Sequence, residues 1–207
     1  MADIRTHKGD LSDAAMEHYT GDIAIDTETL GLVPRRDRLC VVQLSPGDGS
    51  ADVIQIGAGQ DSAPNLTALL EDPSKRKLFH FGRFDVAVLY NAFGVTAQPV
   101  FCTKIASRLT RTYTDRHGLK DVTRELLEID LSKQQQSSDW AAETLSQAQL
   151  EYAASDVLHL HALTEKLTER LKRDGREAHA EACFSFLPTR AKLDLMGWEE
   201  TDIFAHS

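Results

Sequence analysis

The spacing of apolar residues changes its period along the chain, and that change restricts the fold more than any other feature. Residues 4–7, 22–27, 38–44 and 51–56 alternate, or are dense in β-branched side chains, as strands are. Pro46-Gly47-Asp48-Gly49 supplies a turn between the last two. Short connections among the last three strands imply an antiparallel meander. From residue 64 onward the spacing becomes helical, interrupted by short apolar runs at 77–80 and 100–102 that read as buried strands. Ser12 caps a short helix over 13–19. Pro64 opens a helix that Asp72-Pro73 closes, and residues 84–93 form another that Gly94 ends. Ser146 with Gln149 makes a capping box, and Leu150, Ala153, Val157, Leu160, Leu167 and Leu171 continue one apolar stripe towards Gly175. Pro188 is expected to divide the remaining helices. The pattern is that of an α/β fold with a mixed central sheet and a helical C-terminal part. A chain of 207 residues suits one core. We therefore read residues 1–207 as a single domain, with its core over about 21–171 and a helical extension over about 176–207.

Composition narrows the function classes. Apolar residues are 42% and charged residues 27%, an ordinary soluble balance. No stretch has the length of a membrane span, and the first ten residues lack the apolar segment of a signal peptide. The expectation is a cytoplasmic protein with no membrane partner. Cys40, Cys102 and Cys183 are widely spaced and read as small core residues of a reduced protein. Lys and Arg total 23 against 32 Asp and Glu, a net charge of −9. A protein that grips long nucleic acids normally shows a basic face. Here the basic residues must be local, the substrate short, or metal ions must supply the attraction.

Three motifs bring carboxylates to the ends of buried elements. Asp26-Thr27-Glu28 follows the apolar Ile23-Ala24-Ile25, and strand alternation puts both acids on one face. Two such charges are comfortable together only with a proton or a cation. His80-Phe81-Gly82-Arg83-Phe84-Asp85 carries an acid into the first turn of a helix, where an ordinary dipole contact would also explain it. Tyr152 and Asp156 lie i and i+4 on a helix whose small neighbours Ala153 and Ala154 mark a close approach. A surface Tyr/Asp pair would explain the third motif equally well. Singly each is weak; their order and context together are specific.

Together they resemble the DEDD superfamily of 3′-5′ exonucleases, in the subclass with tyrosine in the third motif. Leu119-Lys120-Asp121, Ser138-Asp139-Trp140, Leu145-Ser146 and Glu151-Tyr152-Ala153-Ala154 extend the likeness to ribonuclease D, over about residues 21–171. The fold so implied is ribonuclease H-like. Ribonuclease D carries further helical domains, whereas this sequence ends at Ser207, and Cys102 stands where that family usually has Asp. In this it is similar to the short proteins called nanoRNase C, which degrade very short RNAs including dinucleotides and assemble as ring-shaped homo-octamers; some also attack DNA ends.

The resemblance implies that Asp26, Glu28, Asp85 and Asp156 hold two divalent cations, Mg2+ or Mn2+, that Tyr152 positions the attacking water, and that hydrolysis from the 3′ end releases nucleoside 5′-monophosphates. All-oxygen ligands suit these hard cations. Tyrosine, with an ordinary pKa of about 10, is a poor general base. Thr27 is assigned to the substrate site. Leu32, at the family's offset from the first Asp, is read either as a wedge between the terminal bases or as a loop leucine packed on the core. Lys104, Arg108, Arg111, Arg116 and Lys120 form a local basic segment, from which Arg108 and Arg111 are taken as phosphate contacts; a solvated helix face is the other reading. His80, His117, His159 and His161 are read as ordinary hydrogen-bonded or surface residues. Two alternatives stay open: an exonuclease of longer structured RNA or of DNA ends, and a non-catalytic nucleic-acid-binding module. The large apolar residues between 184 and 204 are expected to contribute to a homo-oligomer interface.

Overall fold

Strand alternation resolves into one six-stranded sheet. The computed structural model describes residues 2–132 and 134–206. In chain order these form β1 (Asp3–Lys8), α1 (Asp13–Met16), β2 (Ile23–Thr29), β3 (Leu39–Ser45), β4 (Ser50–Gln55), α2 (Pro64–Glu71), β5 (Lys77–Phe79), α3 (Gly82–Phe93) and β6 (Val100–Cys102). Helices follow: α4 (Thr103–Thr110), α5 (Leu119–Leu127), α6 (Gln147–Leu158), α7 (Leu160–Arg173), α8 (Glu177–Leu193) and a π-helical turn, Asp194–Trp198. The sheet order is β1-β4-β3-β2-β5-β6. β2, β3 and β4 are the expected antiparallel meander, while β1 pairs parallel to β4, and β5 and β6 continue parallel beyond β2.

The pleat sorts the side chains of β3 between two cores. Val42 and Leu44 join the main cluster, with Ile23, Ile25, Leu66, Leu70, Leu89, Val157 and Leu163. Val41 turns to the opposite face and meets Val53, Trp140, Leu145 and Ala153. β2 is thus central in the sheet and walled on both faces. A carboxylate on it leaves water unless the strand ends in a cleft, which is where Asp26 and Glu28 stand.

Several expectations need correction. β2 does not stop at residue 27 but carries Glu28 and Thr29 within its ladder to β3. The stripe from 150 to 171 belongs to two helices. His159 (φ −106°, ψ −2°) closes α6 and starts α7 in a new direction. The break lets α6 lie on β2, β3 and β4 while α7 packs on β5, α4 and α5. His161 then anchors α7 by bonding the carbonyl of Asp22 at 3.0 Å. Pro188 does not divide the C-terminal helices, because α8 runs through it. Phe184, Leu187, Pro188 and Ala191 are all buried, and Phe184 meets Phe101 at 4.6 Å between ring centroids. That packing outweighs the one backbone donor that proline removes. Cys183 is exposed on α8, while Cys40 and Cys102 are buried as expected. Among the described residues no helix is long and apolar enough to cross a membrane.

Candidate active site

Each motif is delivered by a local device. On β2, Asp26 and Glu28 share a face, and the ladder to β3 slips between Glu28 and Thr29. Such irregularities re-aim side chains at strand ends. Asp85 lies in the first turn of α3, after Phe81 in a left-handed conformation (φ 72°). The next residue must be glycine: a Cβ on Gly82 would come within 2.8 Å of the Cβ of Phe79. On α6, the capping box forms as expected, with Ser146 Oγ accepting from the N–H of Gln149 at 3.3 Å. Ala153 and Ala154 are buried, so α6 presses close to the sheet and brings Tyr152 and Asp156 over β2.

Asp26, Glu28 and Asp156 each offer an oxygen within 4.8 Å of the others. Asp85 stands beside this trio rather than in it. Its Oδ1 accepts a hydrogen bond from the Thr27 hydroxyl at 2.7 Å, yet its charge raises the proton affinity of both Asp26 and Glu28. Gln43, directly opposite Asp26 in the ladder, donates Nε2–H to Asp26 Oδ2 at 2.6 Å.

The electrostatics are those of an unfinished site. Burial first, then the charges of Asp85, Asp156 and Glu28, push Asp26 well above the carboxylate range. Glu28 is pushed up to about 9 by burial and then by Asp156 and Asp85. Burial raises Asp85 to about 7 against the Thr27 hydrogen bond, and Asp156 to about 7 against Tyr152. Among the described residues, no lysine or arginine charge is a leading influence on these four groups. Buried carboxylates with neither cation nor proton are costly. An all-oxygen donor set of this density fits a hard divalent cation. The Tyr152 phenol is itself pushed above its ordinary range by burial and by Asp156, Glu28 and Asp26.

Asp26, Glu28 and Asp156 line a cleft of about 580 Å³, with Asp85 behind them. Leu32 stands on its rim and is 86% exposed, which removes the core-packed reading. Phe84, Trp140 and Tyr152 supply aromatic walls, with Trp140 and Tyr152 ring centroids 5.9 Å apart. Among the described residues, Lys104 and Lys120 are the lysines that line it.

Two of the expected substrate contacts, Arg108 and Arg111, stand away from the cleft. Arg111 is 1% exposed. Its guanidinium bonds Glu125, Ser107 Oγ at 3.0 Å and the carbonyl of Arg116 at 2.6 Å, so it clamps α4 to α5 and does not reach the cleft. Thr27 lines the cleft, but its hydroxyl is engaged with Asp85. Arg108 is exposed and is not among the cleft residues. Gln43, Phe84 and Trp140 were not selected from sequence. Gln43 left one trace, a polar residue inside the apolar run of β3. The histidines behave as ordinary residues: His80 and His117 bond Thr103 and Ser107 at 2.8 and 2.9 Å, and none joins the carboxylate group.

Comparison with known proteins agrees with this geometry. A family model described as 3′-5′ exonuclease matches residues 4–172. The ribonuclease D of Granulibacter bethesdensis is 36% identical over 156 residues, 75% of this chain and 39% of that protein. The chain thus spans about two fifths of the length of the curated relatives it matches. The structure of Brucella melitensis NrnC bound to pGG superimposes with a TM-score of 0.97 at 69% identity, covering 100% of both chains. The same protein with bound Mg2+ gives 0.95 at 68% identity, covering 99% of this chain and 100% of that one.

Proposed function

The chain belongs to the 3′-5′ exonuclease family, and from that premise we propose that it is a metal-dependent 3′-5′ exoribonuclease of short oligonucleotides, dinucleotides among them. The observation that carries this reading is the trio of oxygens from Asp26, Glu28 and Asp156 within 4.8 Å, half-buried and lining the cleft, with each acid raising the proton affinity of another. Asp26, Glu28, Asp85 and Asp156 would hold two divalent cations, Mg2+ or Mn2+. When bound, such ions supply a nucleophilic water and neutralise charge on the departing 3′ oxygen.

The chain's own residues do the rest. Gln43 holds one oxygen of Asp26 and so fixes the carboxylate's orientation. Thr27 orients Asp85 in the same way. Tyr152 stays protonated throughout the neutral range and acts as a positioned hydrogen-bond group for the attacking water, not as a base. Leu32, on the rim, is placed to wedge against the terminal base, with Phe84 and Trp140 offering stacking surfaces. Lys104 and Lys120 meet phosphate oxygens, the role first given to Arg108 and Arg111. The products are nucleoside 5′-monophosphates.

Substrate length follows from three supports. The cleft lies within the range of about 300–1,000 Å³ typical of small-ligand sites. The net charge of −9 disfavours a grip on long phosphate backbones. NrnC of Brucella melitensis, similar over its whole length, binds pGG. We assign the chain to the cytoplasm, treat residues 1–207 as one catalytic domain, and propose a homo-oligomer, an octameric ring by the family likeness. Phe184 and Leu187 pack inside the protomer, but Met196, Trp198, Ile203 and Phe204 remain exposed and are the residues offered to a second copy.

A time course on end-labelled RNA of two to twenty nucleotides tests the function. Stepwise loss from a free 3′-OH, arrest by a 3′-phosphate and dependence on Mg2+ or Mn2+ are expected. Nucleoside 3′-monophosphates as first products, or full activity in excess chelator, would overturn it.

A further inference from the structure

Segment 194–199 is tied to the loop that follows Leu32 and to the turn that precedes Asp85. Arg83, next to the cleft residue Phe84 and two before Asp85, donates Nε–H to Asp194 Oδ2 at 2.5 Å and Nη2–H to Asp194 Oδ1 at 2.8 Å. Its Nη2 also reaches the carbonyl of Glu199 at 2.6 Å. Arg35, in the loop that follows Leu32, pairs with the Glu199 carboxylate. From α8, Arg190 bonds the carbonyls of Trp198, Glu199 and Thr201 at 2.8, 3.1 and 3.0 Å and pairs with Asp194 at 3.2 Å. Three arginines from three elements therefore converge on one short acidic segment. Gly197, at φ 104°, lets the chain double back there.

These arginines reach two irregular stretches of backbone. The turn before Asp85 contains Phe81 in a left-handed conformation, which a non-glycine residue keeps only where its surroundings over-determine it. The loop bearing Leu32 has little core of its own: Leu30 and Leu32 are exposed, and a bond from Asn91 to the carbonyl of Pro34 at 3.0 Å is its tie to α3.

We propose that the C-terminal segment 194–199 is a positioning element of the active site, with Glu199 fixing the Leu32 loop through Arg35 and Asp194 fixing the Asp85 turn through Arg83. The catalytic part of this inference rests on the exonuclease reading; the mechanical part does not.

Glu199→Gln, and the charge-exchanged pair Arg35→Glu with Glu199→Arg, test it by two readouts on the full chain. For dinucleotide hydrolysis, Glu199→Gln is expected to raise KM about two- to five-fold, in line with a surface ion pair, with kcat unchanged within about twofold. Limited trypsin digestion should cut faster after Arg36 and Arg38, and the exchanged pair should restore both KM and the cleavage rate. Asp194→Asn should weaken Mn2+ binding several-fold in calorimetry. Unaltered KM and trypsin sensitivity in Glu199→Gln, or no restoration by the exchanged pair, would overturn the role of Glu199; unaltered Mn2+ affinity in Asp194→Asn would overturn that of Asp194. If the unmodified protein proves inactive on nucleic acid, the trypsin rates alone decide the mechanical claim, so the two failures are distinguishable.

Discussion

Two places in the same sheet draw carboxylates out of water, one wholly and one in part, and they settle them in opposite ways. Asp52 on β4 is 0% exposed. Arg5 donates to both its oxygens at 2.9 and 2.8 Å, Tyr19 donates its hydroxyl at 2.6 Å, and His7 lies at 2.7 Å. Burial alone would push this acid up, but hydrogen bonds from Arg5, Tyr19 and His7 hold it below the usual carboxylate range. Asp26, two strands along in the sheet order, has Gln43 as its hydrogen-bonding side chain and three acids as neighbours, and is pushed the other way. Burial does not decide what a carboxylate is for; the completeness of its partners does. Asp52 is finished and fastens β1 to the sheet. The Asp26 cluster is left open for a cation.

The contrast breaks most visibly if the two sites are mutated alike. Asp26→Asn is expected to lower nuclease activity on the order of 10²–10³-fold or more, while thermal unfolding in chelator stays unchanged or shifts upward, since a repelled charge has been removed. Parallel hydrolysis assays and melting curves check both halves. A smaller loss of rate is expected for Tyr152→Phe, on the order of 10²-fold, with Mn2+ affinity retained; a loss of metal binding instead would make the tyrosine a ligand. Asp52→Ala should do the reverse of Asp26→Asn. Removing one partner of a buried, hydrogen-bonded pair costs about 3 kcal/mol, roughly 6–12 °C in Tm, with kcat per folded molecule preserved.

The pH dependence sharpens the same comparison. Asp85 and Asp156, raised to about 7, and Glu28, raised to about 9, bind protons more tightly folded than unfolded. Metal-free protein should therefore lose stability as pH rises from about 4 through those values. Asp52, held below its ordinary 3.8, contributes stability that is present above that value and lost as pH falls through its folded pKa. Saturating Mn2+ should cancel the first slope, raising Tm by about 5–10 °C at pH 8.5 and less at pH 5.5, and should leave the second untouched. Melting curves with Mn2+ and with chelator at both pH values are sufficient.

Where function was legible in the sequence, a short-range period carried it. Asp26 and Glu28 are two apart on a strand, Tyr152 and Asp156 four apart on a helix, so local geometry alone aligns each pair. The meander was legible for the same reason, since short turns force neighbours to pair. What escaped depends on distant partners. Arg111 looks like a phosphate contact until α5 supplies Glu125, and Thr27 looks free until α3 supplies Asp85. The break at His159 and the passage of α8 through Pro188 follow from which core surface each half of a helix can reach, and no local propensity encodes that. The clamp of Arg83 and Arg35 on segment 194–199 spans more than a hundred residues of sequence, beyond any motif.

The central claim is that Asp26, Glu28, Asp85 and Asp156 are kept proton-hungry so that divalent cations can complete them. Calorimetric titration of the metal-free protein with Mn2+ at pH 7.5, repeated in two buffers of different ionisation enthalpy, tests this most directly. Two ions per chain are expected, with an observed heat that differs between the buffers because binding expels protons from the raised carboxyls, and with this binding lost in Asp26→Asn. Absence of binding at millimolar Mn2+, or binding that Asp26→Asn leaves intact, would contradict it.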